Sequence, residues 1–386
     1  MGLGSEGLRA LRILVLLPSN LFAAEIVGIC ESVSANVFAL DNGGRRSILM
    51  RGRARDYRAV PFFDGERVNP HAIDELEKMC IQHRIDVVVP FDLDGAALLW
   101  FAKERIAARC FPFSAPATLQ QLSDKWRCMD VARRAGVDTP DSVLLENLDE
   151  LDSPALDRFR FPAIVKPPRL EGSRGVKLVA NIDALKRHVS SQAPYAKLPL
   201  ILQEYVEGTI VDVDLLALDG RVLLLSCRDL NRRGTVRFFR NAQAEAAAAA
   251  IVAAAGYTGI ANLDFVHDPH TGNTRFLDFN PRSWSNIRWT RLAGIGFIEG
   301  GLEIAMGGGA EMHPPVPSGT VHSARAALRA VMQGRLRDIS AANRAALAHE
   351  LSRPIQLGLI KIGLKIVEWR VRHVVINEAA LFKLMV

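Results

Sequence analysis

The chain has 386 residues, enough for two or three domains with ample cores, and its 49% apolar and 23% charged residues are those of an ordinary globular protein. The net charge of +6 is concentrated: from Val321 onward there are eleven Lys or Arg against four Asp or Glu, so the preceding residues are close to neutral. A nucleic-acid enzyme would carry its basic footprint on the working face, so this distribution argues against one.

The run Arg12–Leu17 reads as a buried strand and 35–40 as a second. Leu14-Val15-Leu16-Leu17 is too short to span a membrane, and no small-residue cleavage site follows, which argues against a signal peptide. Glu6 stands where a myristoylation motif wants Ser or Thr. Asn69-Pro70 starts a helix, with Asn as cap and Pro in the first turn. Its apolar stripe is Ile73, Leu76, Met79 and Cys80, and it ends near His83-Arg84. A strand over 86–90 and a helix over 95–108 follow. This alternation predicts a parallel sheet covered on both faces. Pro18-Ser19-Asn20, rather than G-x-G-x-x-G, follows the first strand, against a dinucleotide site.

The pattern breaks at Cys110-Phe111-Pro112, which marks a domain boundary. One helix is expected over 117–135, stopped by Gly136. A short strand then ends in Lys166 and is halted by Pro167 and Pro168. The glycine-bearing loop 171–176 leads to a strand over 177–180 and a helix from Asp183. Strands are expected over 200–205, 211–217 and 222–226, the last two flanking the hairpin signal Asp219-Gly220. The alanine-rich 244–255 reads as helix, capped by Gly256. Segments 261–266 and 275–280 read as a second antiparallel pair. From about Thr320 the composition is mainly helical, although Ile360, Ile362, Leu364 and Ile366 also alternate like a strand. Cys30, Cys80, Cys110, Cys128 and Cys227 are scattered and odd in number, which predicts reduced core thiols in a cytoplasm.

Three stretches carry chemistry. Lys166 at a strand end, followed by a loop with Gly172, Ser173 and Gly175, is suited to phosphates, because glycines let backbone N–H groups approach and lysine adds a point charge. An ordinary turn gives the same pattern. Gln203-Glu204-Tyr205-Val206-Glu207-Gly208 ends an apolar strand and reads either as a solvated end or as a hinge offering backbone groups to an adenine edge. Asp278, Asn280 and Arg282 share one face of an extended segment, and Asp264 on the partner strand can face them. Acid plus amide is a hard-oxygen set suited to Mg²⁺, and the guanidinium suits a phosphate or carboxylate. Asp278 bonded to a loop or to Arg282 is the structural alternative.

In that order, Lys125, Lys166, 171–176, 203–208, Asn262-Leu263-Asp264-Phe265 and 277–282 resemble the ATP-grasp superfamily over about residues 115–310. The preceding part resembles the domain before the grasp in carbamoyl-phosphate synthetase, biotin carboxylase and carboxylate–amine ligases. The resemblance implies an α/β fold, α+β within the grasp. Its parts are a parallel-sheet pre-ATP-grasp domain over 1–113, a two-lobed grasp over 114–310 with a lid at about 140–206, and a basic helical extension over 311–386. It further implies that Lys125 and Lys166 contact ATP phosphates. Ser173, Arg174 and Gly175 sit in the lid, and Glu204 with the backbone of Tyr205 and Val206 holds adenine. Asp264, Asp278 and Asn280 bind Mg²⁺, or Mn²⁺ in its place, and Arg282 stabilises the transferring phosphoryl group.

Three departures stand out. Aspartate occupies 264 and 278 where the family often has glutamate, and Ile210 occupies the place of a ribose-binding acid, leaving that role to Asp212 or Glu207. Arg228, Arg232, Arg233, Arg237 and Arg240 read either as a solvated loop or as a platform for an anionic substrate. The implied reaction joins a small-molecule carboxylate to an amine with ATP. Alternatives are a carboxylase using bicarbonate and an ATP-binding scaffold with little catalysis. Pocket placement points to the strand ends at 18–20 and 91–94, with Asp92 and Asp94 as amine ligands or helix caps. His322 and His349 read as structural. Lys361, Lys365, Arg370 and Arg372 lie beside apolar residues and Trp369, so 357–375 fits packing on the grasp, a homodimer contact or an anionic membrane surface.

Overall fold

A computed structural model describes residues 4–17, 23–43, 54–153, 156, 159–170, 172–191, 193–231, 235–284, 287–308, 319–322 and 344. Residues 1–231 and 236–319 form one compact unit, and 232–235 and 320–386 form a second; Gly319–His322 is extended. The expected strand end at 18–20, Glu171, Arg232, Arg233, His349 and the basic stretch 357–375 lie outside the described residues. The boundary expected near 113 falls inside the first unit.

The first elements are α1 (Gly4–Ala10), β1 (Arg12–Leu17), α2 (Ala23–Val33), β2 (Asn36–Asp41), β3 (Tyr57–Ala59), β4 (Phe63–Asp64) and β5 (Arg67–Val68). They continue with α3 (Pro70–His83), β6 (Val87–Pro90), α4 (Leu93–Ala102) and β7 (Arg109–Cys110). A wholly parallel sheet forms in the order β3-β2-β1-β6-β7. Its strands alternate between two cores. Ile13, Val15 and Leu17 pack with Ile26, Val27 and Cys30 of α2, while Leu14 and Leu16 pack with Leu76 of α3 and Leu98 of α4. Burial on both faces explains why these strands read as unbroken apolar runs. Asn69 caps α3 by accepting from His71 N, as its sequence predicts.

The expected helix over 117–135 is two: α5 (Pro116–Ser123) and α6 (Lys125–Arg134). Asp124 breaks them. Its backbone is extended, and its carboxylate accepts from Trp126 N and Arg127 N at 3.1 and 3.2 Å, a capping geometry incompatible with a continuous helix. Lys125 therefore opens a helix instead of sitting within one.

Two antiparallel sheets follow. The smaller has the order β10-β9-β11-β8, from β8 (Ser142–Leu145), β9 (Ala163–Lys166), β10 (Lys177–Val179) and β11 (Leu200–Glu204). Helix α7 (Ile182–Val189) packs Leu185 into its core with Val165 and Leu202. The larger runs β16-β15-β12-β13-β14, from β12 (Thr209–Leu218), β13 (Arg221–Asn231), β14 (Thr235–Phe239), β15 (Gly259–His267) and β16 (Thr274–Asn280). Asp219 and Gly220 turn β12 into β13 with φ of 48° and 78°, the left-handed pair of a type I′ hairpin. Helix α8 (Ala242–Ala255) covers one face, where Val213, Leu215, Leu263, Phe265 and Phe279 are buried against Ala248 and Ile251. The opposite face carries the polar residues.

After β16 the chain docks on the parallel sheet. Ser283 donates from N and Oγ to the Phe91 carbonyl at 3.1 and 2.7 Å. Helices α9 (Ile287–Leu292) and α10 (Phe297–Ala305) then close the first core with Trp284, Phe297 and Leu302 around Phe111. A Cβ on Gly301 would lie 2.0 Å from the Phe111 ring. Gly301→Ala is expected to destabilise the protein by about 1–3 kcal/mol through overpacking, read as a lowered thermal midpoint. An unchanged midpoint would contradict this packing.

Candidate active site

Strand register lays out the polar face of the larger sheet as a grid. One row crosses β13, β12, β15 and β16 as Arg228, Asp212, Asp264 and Asp278. The next row is Ser226, Asp214, Asn262 and Asn280. Directly opposed residues in antiparallel strands share a face, so eight polar groups lie side by side. At the hinge end the same face carries Ile210 opposite Val266, and Val266 opposite Arg275. Polarity therefore rises along the face from apolar to acidic to amide. A register irregularity at Asp264/Phe265 leaves Leu277 without a partner on β15, so Leu277 and Asp278 are both half-buried.

Four acids this close need cations. Arg228, 3% exposed, donates from Nε and Nη2 to Asp214 at 2.6 and 3.1 Å and from Nη1 to Asp212 at 2.5 Å. Asn262 Nδ2 adds a bond to Asp214 at 3.0 Å. Burial nevertheless pushes the Asp214 carboxyl up, against the pull of Arg228. Among the described residues Asp264 has no ion pair of its own, and the Arg228 charge acts on it more weakly. Desolvation, then the charges of Asp212 and Asp278, hold it well above the usual carboxylate range, and it shares a hydrogen bond with Asp212. Asp212, expected near a ribose, is thus committed to Arg228 and Asp264. In the arginine-rich stretch, Arg228 is a buried counter-ion, Arg237 pairs with Asp229, and Arg240 pairs with Glu245.

Asp278 is held by Lys125, whose Nζ lies 2.9 Å from Oδ2 and also donates to the Leu170 carbonyl at 2.8 Å. Burial pulls the Lys125 ammonium down, but Asp278 outweighs it and the net direction is up. Lys166, 6% exposed, donates to Gln203 Oε1 at 2.9 Å and to the Leu277 carbonyl at 3.4 Å. Its burial wins over the Asp278 charge, and its pKa is lowered. Asn280 Oδ1 accepts from Arg282 Nη2 at 3.1 Å, and Arg282 Nη1 donates to the Ser283 carbonyl at 2.8 Å. Lys125, Lys166, Asp264, Asp278, Asn280 and Arg282 are therefore brought together, as their order in sequence implies.

The hinge differs from expectation at one atom group. Glu204 sits one residue past Gln203 and so faces the other side of β11; its carboxylate accepts from Arg275 Nη1 at 3.0 Å and from Asp141 N at 3.4 Å. The Glu204 side chain is engaged in this clamp. Gly208 follows because a Cβ there would lie 2.3 Å from the His267 carbonyl oxygen. Gly172, Ser173 and Gly175 in the loop have φ of 64°, 58° and 76°, and Ser173 and Arg174 are exposed. Asp92 caps α4 through Gly95 N at 2.8 Å, whereas Asp94 accepts from Asn42 Nδ2 at 2.9 Å. Arg275 was not legible as a site residue, whereas Gln203 and Arg228 were legible only as members of the hinge stretch and of the arginine-rich stretch.

The sign of the Asp264 shift gives a pH test. A carboxyl whose folded pKa lies above its ordinary 3.8 contributes stability below that value and loses it as pH rises through the folded pKa. Metal-free Asp264→Asn is expected to lose less stability than the parent between about pH 4 and the parent's folded pKa. Asp214, also raised by burial, is present in both proteins. Urea unfolding in chelator across this range measures the difference; parallel curves would contradict the crowding of acids.

Two family descriptions match the chain: a RimK-like ATP-grasp domain over residues 122–249, and an ATP-grasp in the biosynthetic pathway with Ter operon over 197–326. D-alanine–D-alanine ligase A of Bacillus cereus is 30% identical over 102 residues, covering 25% of this chain and 33% of that protein. The D-alanine–D-alanine ligase of Nitrosomonas europaea is 31% identical over 184 residues, covering 43% and 58%. The chain therefore spans a third of the first relative and little over half of the second. In fold it is similar to the ADP complex of N5-carboxyaminoimidazole ribonucleotide synthetase, with a TM-score of 0.63 at 12% identity over 84% of this chain and 86% of that one. Matches from 122 to 326 fall on the lysines, hinge, acid rows and Arg282 just described, and the chain belongs to the ATP-grasp superfamily.

Proposed function

We propose that the protein is an ATP-dependent ligase that activates a small-molecule carboxylate as an acyl phosphate and passes it to an amine, releasing ADP and phosphate. The observation that carries this reading is the convergence of Lys125 on Asp278, Lys166 on the adjoining Leu277 carbonyl and Arg282 on Asn280, beside Asp264, with the apolar Ile210–Val266 end beside the hinge. A nucleotide fits that gradient: base over the apolar end, phosphates over the charged end. The curated relatives named above are ligases, which supports the reaction class.

Among the described residues no three His, Cys, Asp or Glu side chains converge to hold a metal ion. Asp264 and Asp278 supply two carboxylates and Asn280 an amide oxygen, a set that fits Mg²⁺ or Mn²⁺ when phosphate oxygens complete it. The raised pKa of Asp264 supports this fit, because it marks a carboxylate short of positive charge. Bound there, a divalent ion would neutralise charge on the β- and γ-phosphates. Lys125 and Lys166 bind phosphate oxygens as point charges, and the loop 172–175 closes over them. Arg282, fixed by Asn280 and the Ser283 carbonyl, faces the oxygens that gain charge as the phosphoryl group moves. The substrate carboxylate oxygen attacks the γ-phosphorus and the bond to ADP breaks. The amine nitrogen then attacks the acyl carbon, phosphate leaves with that oxygen, and the nitrogen gives up a proton. No side-chain nucleophile is required, since positioning and charge neutralisation carry the reaction.

ADP release with Mg²⁺ across paired carboxylate and amine pools tests this. Release and amide formation are expected only when both substrates are present, and Asp278→Ala is expected to lower the rate by about 10²-fold or more with the fold retained by circular dichroism. Turnover with bicarbonate as the sole carboxylate, or nucleotide binding without turnover in any pool, would contradict the reading.

A further inference from the structure

The hydrogen-bond acceptors of Lys166 are both uncharged groups, with the Asp278 charge acting from farther away. Its closest acceptor is Gln203 Oε1 at 2.9 Å, and Gln203 is 2% exposed. The register places Lys166 opposite Ile201 and Gln203 opposite Ile164, so both polar side chains stand on one face of the smaller sheet with apolar residues as cross-strand partners. Behind Gln203, Nε2 donates to Ser142 Oγ at 3.1 Å and lies 3.1 Å from Met129 Sδ. Ser142 Oγ donates in turn to the Pro140 carbonyl at 2.9 Å.

This chain has one direction. An ammonium can only donate, so the amide oxygen must face Lys166. The single Ser142 proton has the Pro140 carbonyl at 2.9 Å and Met129 Sδ at 3.7 Å as acceptors, and with either the hydroxyl accepts from Gln203 Nε2. Ser142 therefore fixes the amide orientation, and the amide fixes the ammonium. Gln203 and the Leu277 carbonyl take two of the three N–H groups of Lys166, leaving one for an anionic oxygen. A glutamate at 203 would also accept, but it would neutralise the lysine inside the protein and compete with a phosphate for it.

We propose that Gln203 and Ser142 are positioning residues that hold the Lys166 ammonium in place while leaving its charge unspent for the nucleotide phosphates. The inference rests on Lys166 being a phosphate ligand, as proposed above. A purely structural role for the relay would make stability and nucleotide affinity fall together; this role separates them. In the full chain, Gln203→Glu keeps shape and adds an ion pair, so thermal stability is held or raised while ADP affinity drops.

Calorimetric titration of Mg²⁺-ADP, paired with thermal melts, tests this with four variants. Gln203→Glu is expected to bind ADP about tenfold more weakly with an unreduced midpoint. Ser142→Ala is expected to lose about threefold in affinity, and Ser142→Thr, which keeps the hydroxyl, to recover it. Wild-type ADP affinity in both Gln203→Glu and Ser142→Ala would overturn the relay, and Ser142→Ala serves alone if Gln203→Glu fails to fold. Lys166→Met is the separate control. If it binds ADP as the parent does, the reading of Lys166 as a phosphate ligand fails; if it loses binding while the relay variants do not, only the relay fails.

Discussion

Crowded carboxylates on one sheet face set the terms for everything else in this molecule. Asp212, Asp214, Asp264 and Asp278 occupy adjacent positions on three strands, and strand pairing gives them no way to separate. Each must be neutralised, hydrogen-bonded or protonated. Three solutions appear together. Arg228 is buried between Asp212 and Asp214, Lys125 reaches Asp278 from the start of a helix, and Asp264 takes up a proton more readily than a free carboxylate. Arg228 has no solvent route and reads as permanent. Lys125 and Asp264 are the members of this set to which the proposed reading gives a phosphate and a cation.

The surrounding fold serves that arrangement. Asp124 breaks the helix at the residue that places Lys125 against Asp278 and the Leu170 carbonyl. The irregularity opposite Leu277 turns its carbonyl toward Lys166 and leaves Asp278 on the working face. Ser283 ties the end of β16 to Phe91, so Arg282 is fixed against the parallel sheet as well as the larger antiparallel one. Arg275 joins the hinge to β16 and to Asp138. Cations at 125, 166 and 282 thus arrive from a helix, the smaller sheet and a turn, and their meeting point is the acid row.

Much of this was legible in the sequence because it rests on local rules. Period-two alternation around Asp264, Asp278 and Asn280 located the polar face, and the Asp219-Gly220 signal located the hairpin that builds it. The Asn69-Pro70 and Gly256 caps likewise followed from local chemistry. What was not legible depends on partners distant in sequence. The Asp124 break needs the competition between capping and helix continuation to be decided by packing. Motif order implies an adenine contact for Glu204 but says nothing about which face of β11 its side chain takes, and its partner Arg275 is 71 residues away. Arg228 looked solvated for the same reason, since its acids are 14 and 16 residues upstream across a hairpin. Asp212, named in place of the acid that Ile210 displaces, lies in the acid row against Arg228.

The central claim is that the phosphoryl group passes from ATP to a substrate carboxylate at Arg282, beside the acid row. Isotope transfer tests it most directly, once a turning-over substrate pair is in hand. With the carboxylate labelled by oxygen-18, the account predicts that one labelled oxygen per turnover appears in inorganic phosphate, because the acyl–oxygen bond breaks when the amine attacks. Amide formation with ADP release but unlabelled phosphate would contradict it.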